Sequence, residues 1–368
     1  MNILRPTGMA LMAMGLARAD VPMPDYRLDV PVPAGELAPQ VYRAQKSAQP
    51  VVVDGKADDG VWQTAEWTAD YIDIEGESKP KPWHRTRCKM AWDDRYFYVF
   101  AEMDEPHLWA TLTKRDSIIF YDNDFEVFID PDRDNHQYAE LEVNALNTVW
   151  DLALVKPYRD GGPAVHGWDI AGLKTAVALD GTLNDPSDED RGWSVEIAIP
   201  HHALKELAKG NFPPLPGDRW KVNFSRVQWS LEPDATNPHG YRKQTDAKTG
   251  KPKSEHNWVW SPQGIVNMHY PERWGVVEFA DGSADELVQI TEDERVVDVL
   301  MAHYYQARAA QVPGVKPKPL DLELPQGWTL RPMKRFGFGF VIAAEKDGQI
   351  IAVDHQGRIS RGPQSPKK

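Results

Sequence analysis

The chain has 368 residues, 41% hydrophobic and 26% charged, which is the composition of a globular protein with room for one large domain and an appendage. Its formal net charge of −13 argues against nucleic acid as a partner, because binding to phosphates requires a basic surface. Cys88 is the only cysteine, which excludes a disulfide framework and a thiolate metal cluster.

The first 19 residues have the features of a bacterial export signal. Arg5 gives a basic start, residues 9–16 are an apolar stretch, and residues 17–19 (Ala-Arg-Ala) match a small-x-small cleavage pattern. The apolar stretch is too short for a membrane span, which takes about 20 residues. We therefore predict a signal peptide at 1–19 and a periplasmic or secreted protein without a membrane span. Cleavage removes two arginines and no acid, which takes the net charge from −13 to −15.

Residues 20–50 are rich in proline and are predicted to form an extended lead-in. From 51 to 279, short apolar runs with period-two alternation are separated by turns, which indicates many strands and few helices. The runs that show the alternation are 96–103, 125–130, 138–144, 193–200 and 220–229. Many strands without intervening helices favour an all-β fold, an antiparallel β-sandwich.

The C-terminal part, 284–368, is predicted to be a small α+β appendage. Residues 284–311 show helical spacing of apolar side chains, and a proline-rich linker follows at 312–325. Two strands, 336–344 and 349–353, flank a turn that contains Asp347-Gly348, which is a hairpin signal.

Several enzyme signatures are absent from the sequence, namely a glycine-rich phosphate loop, a Gly-x-Ser-x-Gly elbow and a His-Glu-x-x-His pair. Nothing in the sequence indicates an organic cofactor.

Ordered motifs between residues 50 and 279 resemble those of family 9 carbohydrate-binding modules. The segment 53–62 (VDGKADDGVW) looks like the opening of that family, and five later landmarks follow in the family's order. These are 91–99 (AWDDRYFYV), 122–130 (DNDFEVFID) with 142–144 (EVN), 192–200 (GWSVEIAIP), 217–226 (GDRWKVNFSR) and 271–275 (PERWG). The resemblance implies a DOMON-like sandwich of the jelly-roll type that binds saccharides in secreted polysaccharide-degrading systems, with secreted glycoside hydrolases as partners.

The resemblance also implies a binding site. In family members that hold sugar ends, two aromatic rings sandwich the sugar and polar side chains bind its hydroxyls. The matching positions here are Phe120 or Tyr121 for one ring and the segment 268–270, with His269, for the other. Glu126 and Asn144 match polar positions of the family. Glu142 stands where the best-known sugar binders carry arginine, so a cation or a different ligand is a second expectation there.

Other candidates come from the residues themselves. Trp150, Trp168 and Trp229 lie beside polar, turn-like segments and are candidate ligand platforms. Four other tryptophans coincide with structural landmarks and are predicted to be core residues, namely Trp62, Trp193, Trp220 and Trp274.

Asp130, Asp132 and Asp134 alternate as acids do in calcium loops, so we predict a structural calcium site there, with a hydrophilic hairpin turn as the alternative. The polar row 138–144 (Tyr138, Glu140, Glu142, Asn144) has a simple alternative too, the solvated face of an antiparallel sheet.

Three other functions stay open at this point. A glycoside hydrolase would use a pair of the strand acids Glu126, Glu142 and Glu196. A haem-binding redox module would use Met268 and His269, although adjacent residues of a strand point to opposite faces. A scaffold without sugar binding is the third.

Overall fold

The computed structural model describes residues 30–34, 39–282, 288–312, 314–316, 322–337 and 339–363. The predicted signal peptide at 1–19 lies outside these residues, as do parts of the predicted lead-in and of the appendage. No helix within the described ranges is long and apolar enough to cross a membrane.

Before residue 281, the regular secondary structure consists almost entirely of strands, joined by loops and turns. In chain order they are β1 (Val41–Lys46), β2 (Ile72–Asp73), β3 (Thr86–Trp92), β4 (Tyr96–Asp104), β5 (Asp124–Asp130), β6 (Tyr138–Asn144), β7 (Val149–Leu154), β8 (Ala164–Val165), β9 (Lys174–Asp180), β10 (Gly192–Pro200), β11 (Arg219–Gln228), β12 (Leu231–Pro233), β13 (Tyr241–Lys243), β14 (His256–Val259) and β15 (Gly275–Ala280). Two short helices accompany them, α1 (Gly60–Thr64) and α2 (His201–Leu204).

These strands form an all-β sandwich, as predicted. The order of the hydrogen-bonded strands is β8-β7-β6-β5-β11-β15-β1-β3-β4-β10-β9, and β14 pairs with β11 and β2. The sheet curls so that β9, β10, β4 and β3 face β15, β11, β5, β6 and β7 across one apolar core. The finer assignment to the DOMON-like, jelly-roll type stays a prediction.

Strand β1 differs from the predictions in two respects. It lies within 20–50, where we expected an extended lead-in, and it pairs parallel with both β15 and β3, whereas the other strands pair antiparallel. The sequence did not predict this strand because its apolar alternation is too short: Tyr42 and Ala44 are its only buried side chains.

The alternation predicted for residues 138–144 is confirmed, and β5 shows it as well. Ala139, Leu141 and Val143 of β6 lie in the core between the layers, beside Val127 and Ile129 of β5. The intervening acids therefore project from the opposite face of the same two strands. The four tryptophans predicted to be core residues are all buried.

The C-terminal appendage consists of one long helix and a small sheet. The helix α3 (Glu292–Ala309) begins at a capping box between Thr291 and Glu294. The strands are β16 (Thr329–Leu330), β17 (Lys334–Phe336), β18 (Gly339–Lys346), β19 (Gln349–Asp354) and β20 (Ile359–Pro363). β18 and β19 form the predicted hairpin, and α3 packs on it through Leu300 and Tyr304.

A buried ionic network joins the appendage to the sandwich. Arg308 of α3 lies 2.6 Å from Asp160, a residue of the turn after β7, and both side chains are fully buried. Arg159, next to Asp160, makes a two-pronged contact with Glu272 at 2.7 and 3.0 Å. Tyr305 of α3 donates to the same Glu272. The network fixes the appendage on the sandwich through four charged side chains.

We expect Asp160→Asn to lower the free energy of unfolding by about 3 kcal/mol, because it leaves the Arg308 guanidinium buried without its counter-charge. Urea denaturation of the whole chain measures this. The control is Glu232→Gln, which breaks the exposed Arg242–Glu232 pair of 2.9 Å and should change the same free energy by less than about 1 kcal/mol. Equal effects of the two variants would contradict a stabilising role of the network.

Candidate ligand-binding cleft

A cleft of about 310 Å³ opens on the outer face of the sheet, over β5, β6 and β7. The outward-facing side chains of β5 and β6 form its floor, and much of its wall comes from segments between strands. The side chains that line it are Ile74, Phe120, Glu126, Phe128, Glu140, Glu142, Trp150, Tyr158, Val227, Glu255, Asn257, Val266, Asn267, Met268 and His269.

Three buried glutamates form the floor of the cleft. Glu126 of β5 is directly opposite Glu142 of β6, and Glu140 is two residues from Glu142 on the same strand and face. Burial raises the pKa of the Glu126 carboxyl to about 7, and the charge of Glu255 adds to this rise. Burial and the charge of Glu126 raise the pKa of Glu140 well above its ordinary value. The predicted alternative of a solvated sheet face is therefore wrong for these acids.

Glu142 is the most constrained acid of the three. Its Oε2 accepts a hydrogen bond of 2.9 Å from the backbone N–H of Phe120, which ties the floor to the wall. Burial, together with the charges of Asp124, Glu126 and Glu140, raises the pKa of Glu142 well above its ordinary value. Its carboxyl therefore shares the floor with like charges.

Asp124, at the start of β5, is fully buried and belongs to the same cluster. One oxygen each of Asp124, Glu126 and Glu142 lie within 4.8 Å of one another. Neither carboxyl oxygen of Asp124 has a hydrogen-bond partner of normal geometry among the described residues, although the backbone N–H of Val227 is near enough to lower its pKa. Burial and the charge of Glu126 raise the pKa of Asp124 well above its ordinary value.

Aromatic side chains form much of the wall. Trp150 of β7 lies directly opposite Glu142 in the register, so its ring stands beside the acidic floor. The His166 ring is stacked on Trp150, with centroids 5.7 Å apart and an interplanar angle of 10°. Tyr158, in the turn after β7, is 45% exposed at the rim. Rings beside buried carboxyls provide both an apolar face and hydrogen-bond acceptors, the combination that a sugar ring requires.

His269 has a fixed position in the same wall. Its Nδ1 lies 3.0 Å from the Tyr138 hydroxyl, and the Tyr158 ring meets it edge-on at 4.5 Å. Burial and the charge of Arg159 lower the pKa of His269 to about 3, so the ring is neutral at pH 7. It can therefore offer a hydrogen bond to a ligand but no charge.

The structure brings five of the nine predicted ligand residues to the cleft, namely Phe120, Glu126, Glu142, Trp150 and His269. They come from three strands and from two segments between strands.

The other four predicted ligand residues do not line the cleft. Tyr121 is exposed next to Phe120, and Asn144 donates to the Asp122 carboxylate at 3.0 Å. Trp168 bonds Glu206 at 2.8 Å. The ring of Trp229 is covered by the Lys243 ammonium, 3.2 Å from the ring centroid, while its Nε1 donates to the Phe120 carbonyl at 2.9 Å. Trp229 therefore supports the wall from behind.

The predicted calcium ligands Asp130, Asp132 and Asp134 do come together, with one oxygen each within 4.8 Å of the others. Asp130 accepts the backbone N–H groups of Arg133 and Asn135, at 3.1 and 2.8 Å, and therefore holds its own turn. Asp134 is paired with Arg358 at 2.8 Å. One buried oxygen of Asp132 has no hydrogen-bond partner among the described residues. Calcium at this turn stays a prediction, and these contacts show that the carboxyls also serve the turn and the appendage.

The residues of the two rival functions are placed as follows. Glu196 lies on β10 in the other layer, where it accepts hydrogen bonds from the Trp62 indole at 2.8 Å and from the backbone of Asp54 and Gly55. Glu196 therefore forms no pair with the acids of the cleft.

Met268 and His269, the residues of the haem alternative, both line the cleft. They lie in a turn before the 3-10 helix Pro271–Arg273 and not in a strand. The expectation that they point to opposite faces of a strand was therefore wrong.

Sequence reasoning missed most of the other residues that line the cleft, and three of them show why. Glu140 stood in the predicted polar row and could have been found from its alternation with Leu141. Asn257 alternates with Trp258 in the same way on β14. Tyr158 lies in a proline- and glycine-rich turn, and only the tertiary fold shows that this turn closes one side of the cleft.

The family model described as "Carbohydrate family 9 binding domain-like" matches residues 53–280. Endo-1,4-beta-xylanase A of Thermoanaerobacterium saccharolyticum is 34% identical over 150 residues, which is 40% of this chain but only 11% of the xylanase. A carbohydrate binding module family 9 from Caldicellulosiruptor kristjanssonii, solved with cellotriose, is similar at 19% identity with a TM-score of 0.42. It covers 68% of this chain and 100% of its own. The structure of such a module from the same organism with glucose gives 19% identity, a TM-score of 0.41 and coverage of 67% and 100%.

We expect Glu140→Gln to stabilise the protein at pH 8 by about 1 kcal/mol, and by less at pH 5. As the pH rises above the ordinary pKa of glutamate, the unfolded chain loses the proton of Glu140 while the folded chain keeps it, so native stability falls. Glutamine has no such proton, so the advantage of the variant grows with pH. Urea denaturation at both pH values, without added metal ions, measures the difference. A variant less stable than the natural protein at pH 8 would contradict a raised pKa of Glu140 in the folded protein.

Proposed function

The chain belongs to the carbohydrate family 9 binding domain-like proteins, and from this membership we propose that it binds a saccharide in the cleft over β5, β6 and β7. The observation that carries the proposal is the pairing of aromatic walls with a carboxyl floor. Phe120, Trp150 and Tyr158 offer ring faces for the C–H groups of a pyranose, and Glu126 and Glu142 offer acceptors for its hydroxyls.

The size of the cleft supports a short ligand segment. A volume of about 310 Å³ is at the lower end of small-molecule sites. It suits one or two sugar units, with the rest of a longer saccharide outside the rim. Tyr158 stands at that rim, where it would contact the sugar as it enters.

We propose further that the protein is periplasmic or secreted and takes part in polysaccharide degradation. The export signal predicted at 1–19 supports the location, and the partial match to a xylanase supports an association with secreted glycoside hydrolases. In this role the protein holds substrate near the enzymes that cleave it.

Hydrolysis of a glycosidic bond is the second candidate function, because Glu126 and Glu142 face each other in the cleft. A glycosidase requires one carboxyl as a general acid and another as a nucleophile or base. The raised pKa of about 7 for Glu126 is suitable for the acid. Binding is favoured over hydrolysis by the family to which the chain belongs.

The first test is a glycan array on residues 20–368, with calorimetry on each hit and with xylo- and cello-oligosaccharides as first probes. We expect Tyr158→Ala to weaken binding about tenfold, since it removes a ring face from the rim. The matched control is Trp83→Ala, because Trp83 is 51% exposed, close to the 45% of Tyr158, and does not line the cleft.

Binding that is weakened by Tyr158→Ala, unchanged in Trp83→Ala and accompanied by no new reducing ends would establish a saccharide-binding protein. Release of reducing ends, lost in Glu126→Gln, would establish the hydrolase instead. If no glycan binds to the natural chain, or if the two aromatic variants behave alike, the cleft is not the saccharide site.

A further inference from the structure

Four carboxyl groups are concentrated around the floor of the cleft without a counter-charge. They belong to Asp124, Glu126, Glu140 and Glu142, all buried. Among the described residues, none of them forms an ion pair, and the charged groups that act on them are other acids. Burying a charge without a partner is strongly unfavourable, so such a cluster requires either protons or a cation.

Elsewhere this protein gives its buried acids partners. Asp160 has Arg308 at 2.6 Å, Glu272 has Arg159 at 2.7 Å, and Glu105 has Arg226 at 3.0 Å. Even where no cation is near, a buried acid caps backbone N–H groups. Glu196, for example, accepts those of Asp54 and Gly55, at 2.8 and 3.0 Å. The cluster under the cleft has fewer such contacts: Glu142 accepts the Phe120 N–H, and no cation among the described residues pairs with any of the four carboxyls.

We propose that Asp124, Glu126 and Glu142 bind a divalent cation, Ca²⁺, at the floor of the cleft. One oxygen from each lies within 4.8 Å of the other two. A calcium ion binds its oxygen ligands at about 2.3–2.6 Å, so ligand oxygens on the same ion are separated by up to about twice that distance. The three carboxyls therefore converge on a space of the right size, and all three are hard oxygen ligands.

Asp124 is the observation that points to a cation beyond the acidity of the cluster. Its side chain is fully buried, and neither of its oxygens has a hydrogen-bond partner of normal geometry among the described residues. The backbone N–H of Val227 is near enough to lower the pKa of Asp124 but does not meet that geometry. Asp124 does not line the cleft, whereas Glu126 and Glu142 do. A sugar in the cleft, including one with an ammonium group, would contact the two glutamates but would not reach Asp124. A compact ion between the three residues satisfies all of them.

The backbone holds the proposed ligands in place. Glu126 and Glu142 are cross-strand neighbours in the β5–β6 register, and Asp124 is opposite Asn144 in the same ladder. The Phe120 N–H holds one oxygen of Glu142 at 2.9 Å and leaves the other oxygen free to bind the ion.

The cation site itself does not depend on saccharide binding. A further step does rest on the proposed function: because Glu126 and Glu142 face the cleft, the open coordination positions of the ion would face a bound sugar, whose hydroxyls could complete the coordination. Saccharide affinity would then fall in EDTA.

The test is a calcium titration of residues 20–368 by calorimetry, after removal of metal ions and without sugar. We expect Asp124→Asn and Glu142→Gln each to lose one calcium equivalent or to bind it at least tenfold more weakly. Asp132→Asn is the matched control, since it alters a different acidic group, at residues 130–134, and should retain that equivalent.

Melting temperatures show whether the variants fold. They also give a second readout, because the effect of Asp124→Asn on the melting temperature should have opposite signs without and with calcium. Without calcium, Asp124→Asn should melt above the natural protein because it removes the free-energy cost of burying an acid beside other acids. With calcium, it should lose the upward shift that the natural protein shows. The proposal is overturned if calcium neither binds to nor stabilises the natural protein, if Asp124→Asn keeps the full shift, or if only Asp132→Asn loses it. None of these results depends on whether a sugar binds.

Discussion

The two-residue period of β5 and β6 is the constraint on which the rest of the structure depends. Val127 and Leu141 must face the core between the two layers, and a shift of one residue would turn them outward. The same period places Glu126 and Glu142 on the opposite face, directly across from each other. Two acids directly opposite each other disfavour this register, and the packing of the core maintains it. Core packing thus creates the acidic floor.

The C-terminal appendage contacts two of the segments that wall the cleft, although it does not line the cleft itself. Arg159 follows Tyr158 of the rim and lies 4.5 Å from the Tyr270 ring, the residue after His269 of the wall. Its partner Glu272 is bound by Tyr305 of α3. Two of the loops that wall the cleft are therefore anchored to one helix, so the appendage helps to hold them in position.

The sequence was sufficient to predict the features that depend on short-range alternation, such as strands and the faces of their side chains. It was insufficient to predict which residues the loops cover. Periodicity and turn residues predicted the sandwich and the hairpin of the appendage. Periodicity also predicted which side chains of 138–144 share a face of the sheet. Strand β1 did not, because its parallel pairing with β15 joins residues more than two hundred positions apart. Trp229 was misplaced because the sequence cannot show that Lys243 covers its ring. Burial of Glu142 was missed for the same reason, since the covering segments are distant in the chain.

The burial of the acids also decides how the cleft can treat a neutral sugar. A protonated carboxyl both donates and accepts hydrogen bonds, whereas a carboxylate only accepts them. Without a cation, the raised pKa of Glu142 favours its protonated form, which would offer a donor as well as an acceptor in the floor. A cation needs deprotonated ligands and would release those protons. The cluster therefore has two states with different hydrogen-bonding patterns, and pH and cation concentration together set which of them meets the ligand.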